Sequence, residues 1–144
     1  MLFSFKFMPL KCYSLVVSCE VPLRILVVDD APLVRKMMSR LLLHHNLKAD
    51  EATNGAEAIA KVKLAMSVGQ SYDVILMDSS MRIMGGPEAT RAIRKLGFSG
   101  KIFGVTGHSD EGSIDDFLAK GADKVILKPM TKDTLTIIIE GTSK

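Results

Sequence analysis

The sequence predicts an α/β fold in which a doubly wound, parallel sheet of five strands is covered by five helices. Short apolar runs alternate five times with longer stretches whose apolar residues recur at helical spacing. Residues 74–77 are apolar at every position, as is usual for a strand that is buried on both faces of a parallel sheet. The length of 144 residues suits one domain with a short extension.

The composition is that of a folded protein with no sign of a nucleic-acid or membrane partner. A hydrophobic fraction of 47% with 24% charged residues argues against disorder. The net charge is +3, and the lysines and arginines are scattered rather than clustered as in nucleic-acid-binding proteins. Lys6, Lys11 and Glu20 interrupt the apolar N-terminus, so that no run there is long enough to span a bilayer.

Residues 1–22 differ in character from residues 23–144, which we expect to form the domain. Both cysteines, Cys12 and Cys19, lie in this first segment, and they provide neither a disulfide framework nor zinc spacing. Residues 16–19 loosely resemble a lipoprotein cleavage box, but the charged region that should precede one is poorly formed. We therefore expect a linker or a disordered extension, and a cytoplasmic protein.

The first βα unit begins with a β-branched run at residues 24–28, which ends in Asp29 and Asp30. Pro32 suits the first turn of the next helix, because the N–H that proline lacks would have no partner there. Apolar residues at helical spacing then predict an amphipathic helix. Its apolar positions, whose methionines we interpret as core filler, are Leu33, Val34, Met37, Met38, Leu41 and Leu42.

The second βα unit has the weakest strand signal. Residues 48–52 contain only two alanines as apolar residues, and Asn54 with Gly55 gives a turn signal. Residues 56–66 are good helix formers throughout, with their apolar side chains on one stripe. We expect a short strand followed by a well-formed helix.

The third βα unit contains the residue to which we assign the central role. The strand over residues 72–77 leads into Asp78. A parallel strand delivers its last side chain to the carboxyl edge of the sheet, where open α/β folds bind their ligands. The glycines and proline at residues 85–87 then open a third helix, which we expect to run to about Leu96.

The fourth strand is predicted at residues 101–106 and ends in Thr106. Ser109 is expected to cap the next helix, with acidic residues in its first turn near the positive end of the helix dipole. Gly121 is expected to end that helix.

The fifth strand is predicted at residues 124–127 and is followed by Lys128. Thr131 is expected to cap the last helix. The apolar positions of that helix are Leu135, Ile137, Ile138 and Ile139.

Polar side chains at the ends of four strands could act together. If the strands are parallel, Asp29, Asp30, Asp78, Thr106 and Lys128 share one edge of the sheet. Three neighbouring carboxylates repel one another and favour a bound cation, for which Mg²⁺ is the best match to oxygen ligands. Asp78 could then attack a phosphoryl group while Thr106 and Lys128 neutralise its oxygens. A carboxylate nucleophile needs no general base.

Five motifs occur in the order and at the spacing of one known family. They are residues 25–30, 74–78, 88–94, 105–107 and 128–129. With these motifs the chain resembles, from about residue 23 to its C-terminus, the receiver domain of two-component response regulators and hybrid histidine kinases.

The resemblance implies a flavodoxin-like (βα)₅ fold and a role in phosphorelay signal transduction. It implies that a phosphohistidine on a histidine kinase or a histidine phosphotransfer protein donates to Asp78, with Thr106 and Lys128 completing the catalytic set. It also implies a cis peptide between Lys128 and Pro129. The implied Mg²⁺ ligands are Asp29, Asp30, Asp78 and the backbone carbonyl of Ser80.

Two departures from the family pattern are informative. Residues 81–86 read Met-Arg-Ile-Met-Gly-Gly where the family usually has Met-Pro-x-Met-Asp-Gly, so we expect a looser loop with an added cation, Arg82. Val125 stands where the family usually has a tyrosine or phenylalanine whose ring turns inward on phosphorylation. We therefore expect intact phosphorylation chemistry with a blunted switch.

Three functions are compatible with the sequence. The leading one is a signalling module that takes a phosphoryl group on Asp78 by an autocatalytic reaction, rather than an enzyme with a separate substrate. A phosphatase resembling the haloacid dehalogenases would typically have an aspartate two residues after its nucleophile, where this sequence has Ser80. A pseudo-receiver that is never phosphorylated is the third reading.

The resemblance also bears on how the domain is used. With no output domain apparent, we expect either a stand-alone shuttle or a piece of a longer hybrid kinase. The surface formed by the fourth helix, fifth strand and fifth helix is the usual docking surface of the family. Here it would include Ile114, Phe117, Lys124 and Lys132.

Overall fold

The computed structural model of the protein describes residues 21–142. Both cysteines and nearly all of the predicted N-terminal extension lie outside the described residues. The prediction that residues 1–22 form a linker or a disordered segment therefore stays a prediction. Within the described range, no helix combines the length and the apolar character needed to cross a bilayer.

Within residues 21–142, five short strands form a single sheet in which every neighbouring pair runs parallel. The strands are β1 (Ile25–Val28), β2 (Ala49–Ala52), β3 (Val74–Asp78), β4 (Lys101–Thr106) and β5 (Lys124–Leu127). Their order across the sheet is β2-β1-β3-β4-β5, so that β3 lies in the centre. All five predicted strands are present.

Each strand is followed by a helix, which confirms the predicted α/β fold. The helices are α1 (Pro32–Leu43), α2 (Gly55–Ser67), α3 (Gly86–Lys95), α4 (Glu111–Ala119) and α5 (Lys132–Thr142). Pro32 stands in the first turn of α1, as predicted. Gly121, with φ of +115°, follows the end of α4 in a conformation that glycine adopts without a steric penalty.

The core consists of two apolar layers, one on each face of the sheet. Ile75 and Met77 of β3 point into the layer that α2, α3 and α4 cover. Val74 and Leu76 point into the layer that α1 and α5 cover. This alternation makes β3 buried on both faces and fixes the direction in which Asp78, at its end, is presented.

The helix caps confirm the prediction for Thr131 and contradict the prediction for Ser109. Thr131 caps α5, since its hydroxyl accepts a hydrogen bond of 3.1 Å from a backbone N–H three residues later. Asn54, in the predicted turn before α2, is also the N-cap of that helix. Asp110 caps α4 in place of Ser109, because its carboxylate accepts from a backbone N–H at 3.0 Å and is better matched than a hydroxyl to the positive helix end.

Three of the apolar helix positions singled out from the sequence are exposed. Leu33, Met37 and Ile137 have exposed fractions of 71%, 48% and 65%. In α1 the buried positions are Met38 and Leu42, which are one turn apart. Leu33 and Met37 lie on the neighbouring stripe of the helix, about 100° around its axis from the stripe that contains Met38 and Leu42, and this places them towards solvent. The interpretation of Met37 as core filler is therefore wrong.

Candidate functional site

Three carboxylates meet at the carboxyl edge of the sheet. Asp78 is the last residue of β3 and Asp29 directly follows β1, and 4% of each is exposed. One carboxylate oxygen from each of Asp29, Asp30 and Asp78 lies within 4.8 Å of the other two. Because like charges this close repel each other, the cluster gains from a nearby cation and could hold a metal ion.

Lys128 provides a cation within this cluster. Its Nζ lies 2.8 Å from Oδ1 of Asp78 and 3.4 Å from Oδ2 of Asp29. The backbone N–H of Lys128 donates to the carbonyl of Thr106 at 2.7 Å, which ties the end of β5 to the end of β4. The expected cis peptide between Lys128 and Pro129 is present. The side chain therefore crosses the edge of the sheet from β5 to β3.

The ionisation of the site reflects its burial. Burial raises the pKa of Asp78, and repulsion from Asp29 and Asp30 acts in the same direction, while the ammonium of Lys128 opposes both. Burial alone would lower the pKa of Lys128, but its hydrogen bond to Asp78 and the negative charges nearby outweigh that effect, so the pKa is raised. The carboxylates are thus only partly compensated by Lys128, and the donor set fits a hard divalent cation.

Asp29 is oriented by the backbone of the following turn. Its Oδ1 accepts a hydrogen bond of 2.9 Å from the N–H of Ala31. Arg35, one turn into α1, donates to the carbonyl of Asp29 at 2.8 Å. With Oδ1 occupied in this way, Oδ2 of Asp29 faces Lys128 and the cluster.

Thr106 is the last residue of β4 and is 1% exposed. Its Oγ1 accepts a hydrogen bond of 3.0 Å from the hydroxyl of Ser79 and another of 3.1 Å from the backbone N–H of His108. Ser79 was not among the site residues predicted from the sequence. Alternation past Asp78 turns the Ser79 side chain to the other face, but only the pairing of β3 with β4 brings Thr106 to that face.

The loop between β3 and α3 is tied down at two points. The N–H of Gly86 donates to the carbonyl of Ser79 at 2.9 Å, and the N–H of Gly55 donates to the carbonyl of Ile83 at 3.2 Å. A Cβ atom on Gly55 would lie 2.7 Å from the carbonyl oxygen of Met84, so only glycine fits at the start of α2. Arg82 and Ser80 are exposed on this loop. The expected looseness of the loop stays a prediction.

Val125 is partly buried against the layer that contains Phe117. The strand partner of Val125 is Gly104, and a Cβ on Gly104 would lie 2.7 Å from the Phe117 ring. Phe117 is 1% exposed, so the expectation that it forms part of an exposed docking surface is wrong. Its ring occupies the space that the missing side chain of Gly104 leaves.

An apolar cavity of about 140 Å³ borders the carboxylate cluster on the side of α1. Val34, Met38 and Met130 contribute to its lining, and Asp78 and Lys128 form part of its wall. This apolar surrounding gives the carboxylate of Asp78 few polar neighbours on that side, which is consistent with the dominant effect of burial on its pKa.

Comparisons with known proteins point to one family. A family model described as the response regulator receiver domain matches residues 25–140. Two-component response regulator 24 of Arabidopsis thaliana is 38% identical over 120 residues, which cover 83% of this chain and 84% of that protein. The chemotaxis protein CheY4 of Vibrio cholerae has a solved structure with a TM-score of 0.76 and 27% identity, covering 85% of this chain and 99% of that one.

Other relatives are much longer proteins. The osmosensing histidine protein kinase SLN1 of Saccharomyces cerevisiae is 32% identical over 122 residues, which are 83% of this chain but 10% of that kinase. This chain therefore matches plant response regulators over most of their length, and only a small part of osmosensing or hybrid histidine kinases.

Proposed function

The chain belongs to the family of response regulator receiver domains, as its motifs predicted, and on that premise we propose that Asp78 accepts a phosphoryl group from a phosphohistidine. The observation that carries this proposal is the 2.8 Å contact between Lys128 and Asp78 inside a cluster of three carboxylates. A buried carboxylate with an ammonium beside it is arranged to receive a dianionic group whose charge must be neutralised.

The reaction transfers the phosphoryl group from an imidazole nitrogen of the partner to a carboxylate oxygen of Asp78. An oxygen lone pair of Asp78 forms a bond to phosphorus, the P–N bond of the phosphohistidine breaks, and its electron pair returns to the imidazole nitrogen. Lys128 neutralises one phosphoryl oxygen, and the hydroxyl of Thr106 donates a hydrogen bond to another. The product is an acyl phosphate on Asp78, so the domain is both acceptor and part of the catalyst.

The metal ion that suits the site is Mg²⁺. Within residues 21–142 the cluster consists of three carboxylates without a sulfur or imidazole ligand, and this donor set favours a small, hard cation with oxygen ligation. Asp29, Asp30, Asp78 and the backbone carbonyl of Ser80 would hold it. When bound, Mg²⁺ neutralises charge on the phosphoryl oxygens.

The partner is a histidine kinase or a histidine phosphotransfer protein in the cytoplasm. In support, relatives include response regulators and histidine kinases with receiver domains. We assign residues 23–144 to the receiver domain and residues 1–22 to a linker or a disordered extension. A fusion to a hybrid kinase in a longer chain is compatible with the small share of those kinases that the match covers. Transfer changes the affinity for the partner, and no separate substrate is turned over.

Phosphoryl uptake tests the proposal directly. The protein is incubated with Mg²⁺ and acetyl phosphate, and its intact mass is measured. We expect the wild type to gain one phosphoryl group and the Asp78→Asn variant to gain none. Asp115→Asn, which changes an exposed carboxylate on α4, is the matched control and should be labelled like the wild type.

Other outcomes would select the rival readings. A wild type that gains no mass would support a pseudo-receiver. Continuous release of phosphate from a phosphate ester, lost in Asp78→Asn, would support a phosphatase. Labelling that persists in Asp78→Asn would place the acceptor on another residue and end the proposal.

A further inference from the structure

The hydroxyl of Thr106 has its acceptor capacity filled by two donors. A threonine hydroxyl offers one O–H donor and two lone pairs. Both lone pairs are used here, one by the Ser79 hydroxyl at 3.0 Å and the other by the His108 N–H at 3.1 Å. The proton of the Thr106 hydroxyl must point away from these two donors. It donates to no protein group within residues 21–142.

The Ser79 hydroxyl is available to donate to Thr106 because other hydrogen bonds hold the Ser79 backbone in place. The N–H of Ser79 donates to the carbonyl of Val105 at 3.0 Å, and its carbonyl accepts from the N–H of Gly86 at 2.9 Å. These bonds belong to the end of the β3–β4 pair and to the start of α3. They do not involve the Ser79 hydroxyl, so its removal leaves the course of the chain unchanged.

We propose that Ser79 is a positioning residue that sets the Thr106 hydroxyl as a hydrogen-bond donor to the incoming phosphoryl group. The inference rests on the proposed function, because it concerns the same transfer to Asp78. By donating to Thr106, Ser79 excludes the rotamer in which the Thr106 hydroxyl would donate backwards to Ser79. The proton is then available to a phosphoryl oxygen without rearrangement, which is the arrangement that lowers a transfer barrier.

The closing experiment is a double-mutant cycle on the rate of phosphoryl uptake from acetyl phosphate at fixed Mg²⁺. The four proteins are the wild type, Ser79→Ala, Thr106→Val and the double variant. We expect Ser79→Ala to slow uptake about fivefold, which is the size of one ordinary hydrogen bond. In the Thr106→Val background the same change should have no further effect, because the hydroxyl that Ser79 positions is already absent.

Two further variants separate positioning from a general structural role. Ser79→Thr retains the hydroxyl and should restore uptake, while Ser79→Cys provides a weaker donor of similar size and should fall between the wild type and Ser79→Ala. Ser71→Ala, at the opposite edge of the sheet, is the control and should behave like the wild type. Thermal unfolding of each variant checks that it is folded.

Two results would overturn the inference: uptake by Ser79→Ala at the wild-type rate, or an equal slowing by Ser79→Ala in both backgrounds. Either result leaves the proposed function standing, because the wild type would still be labelled on Asp78. A wild type that takes up no phosphoryl group would instead remove the proposed function and this inference together.

Discussion

Lys128 determines how much of the negative charge at the site is compensated. Its ammonium contacts Asp78 at 2.8 Å and Asp29 at 3.4 Å, and these contacts raise its pKa in spite of burial. In our proposal the same ammonium later neutralises a phosphoryl oxygen. On that proposal, Lys128 would compete with a metal ion for carboxylate oxygens before transfer and would assist the metal ion during transfer.

The change Lys128→Met should separate these two effects. Phosphoryl uptake should fall by about 100-fold, as for the loss of one preorganised donor to a transition state. Mg²⁺ should bind more tightly, because no ammonium competes for the oxygens of Asp78. A titration followed by amide chemical shifts measures the second effect. Lys124→Met, on the exposed end of β5, is the control, and weaker Mg²⁺ binding by Lys128→Met would contradict the argument.

Thr90 on α3 provides a residue-scale test of the packing. It is fully buried, and its hydroxyl has no hydrogen-bond partner among the described residues. A buried polar group without a partner costs free energy, so Thr90→Val should raise the free energy of unfolding by about 1 kcal/mol. Thr90→Ser retains the hydroxyl and removes a methyl group, and should lower it. Urea unfolding measures both, and a destabilised Thr90→Val would show that the hydroxyl has a partner after all.

At the scale of elements, a cluster of interacting side chains links the starts of the three neighbouring strands β2, β1 and β3. The hydroxyl of Tyr72, just before β3, donates to Asp50 of β2 at 2.7 Å. The guanidinium of Arg24, just before β1, lies 5.1 Å from the centre of the Tyr72 ring. Burial, followed by the interaction with Asp50, raises the pKa of Tyr72 to about 12.

This contact predicts a loss of stability in strong alkali. The pKa of Tyr72 is higher in the folded than in the unfolded chain. The contribution of Tyr72 to the free energy of unfolding is therefore complete below pH 10 and is lost between about pH 10 and about pH 12. The difference in free energy of unfolding between the wild type and Tyr72→Phe should shrink over that interval, by up to about 2–3 kcal/mol. Urea unfolding of both proteins across this range measures it. A constant difference would mean that Tyr72 is not the group that titrates.

At the scale of the whole molecule, the parts that could be predicted were those that depend on topology alone. Once the strands are parallel, Asp29, Asp78 and Lys128 must share an edge, whatever the details of packing. The cap of α4 was misplaced by one residue because Ser109 and Asp110 are both competent caps, and the backbone decides between them. The contact between Ser79 and Thr106 was missed because it depends on which strands are neighbours and on their register.

For the molecule as a whole, Val125 bears on how far a structural change at the proposed phosphorylation site extends into α4 and β5. Thr106 and Gly104 lie on the same face of β4, and the Phe117 ring from α4 fills the space above Gly104. In the family pattern an aromatic side chain at the position of Val125 turns inward when the threonine moves. Here valine has no ring to turn, and the buried Phe117 ring fills the space above Gly104, the strand partner of Val125.

Phosphorylation should therefore change α4 and β5 only slightly, and Val125→Tyr should enlarge that change. Amide hydrogen exchange over residues 111–127, compared with and without phosphoryl uptake, measures it. The Asp78→Asn protein treated in the same way gives the background, because it cannot be labelled on that residue. The Phe117 ring packs above Gly104, the strand partner of residue 125. Replacing Phe117 by the smaller leucine should leave more room for a tyrosine at residue 125, so the effect of Val125→Tyr should grow when Phe117→Leu is added. A wild type whose change in exchange on phosphorylation already equals that of Val125→Tyr would show that α4 responds without an aromatic residue at this position.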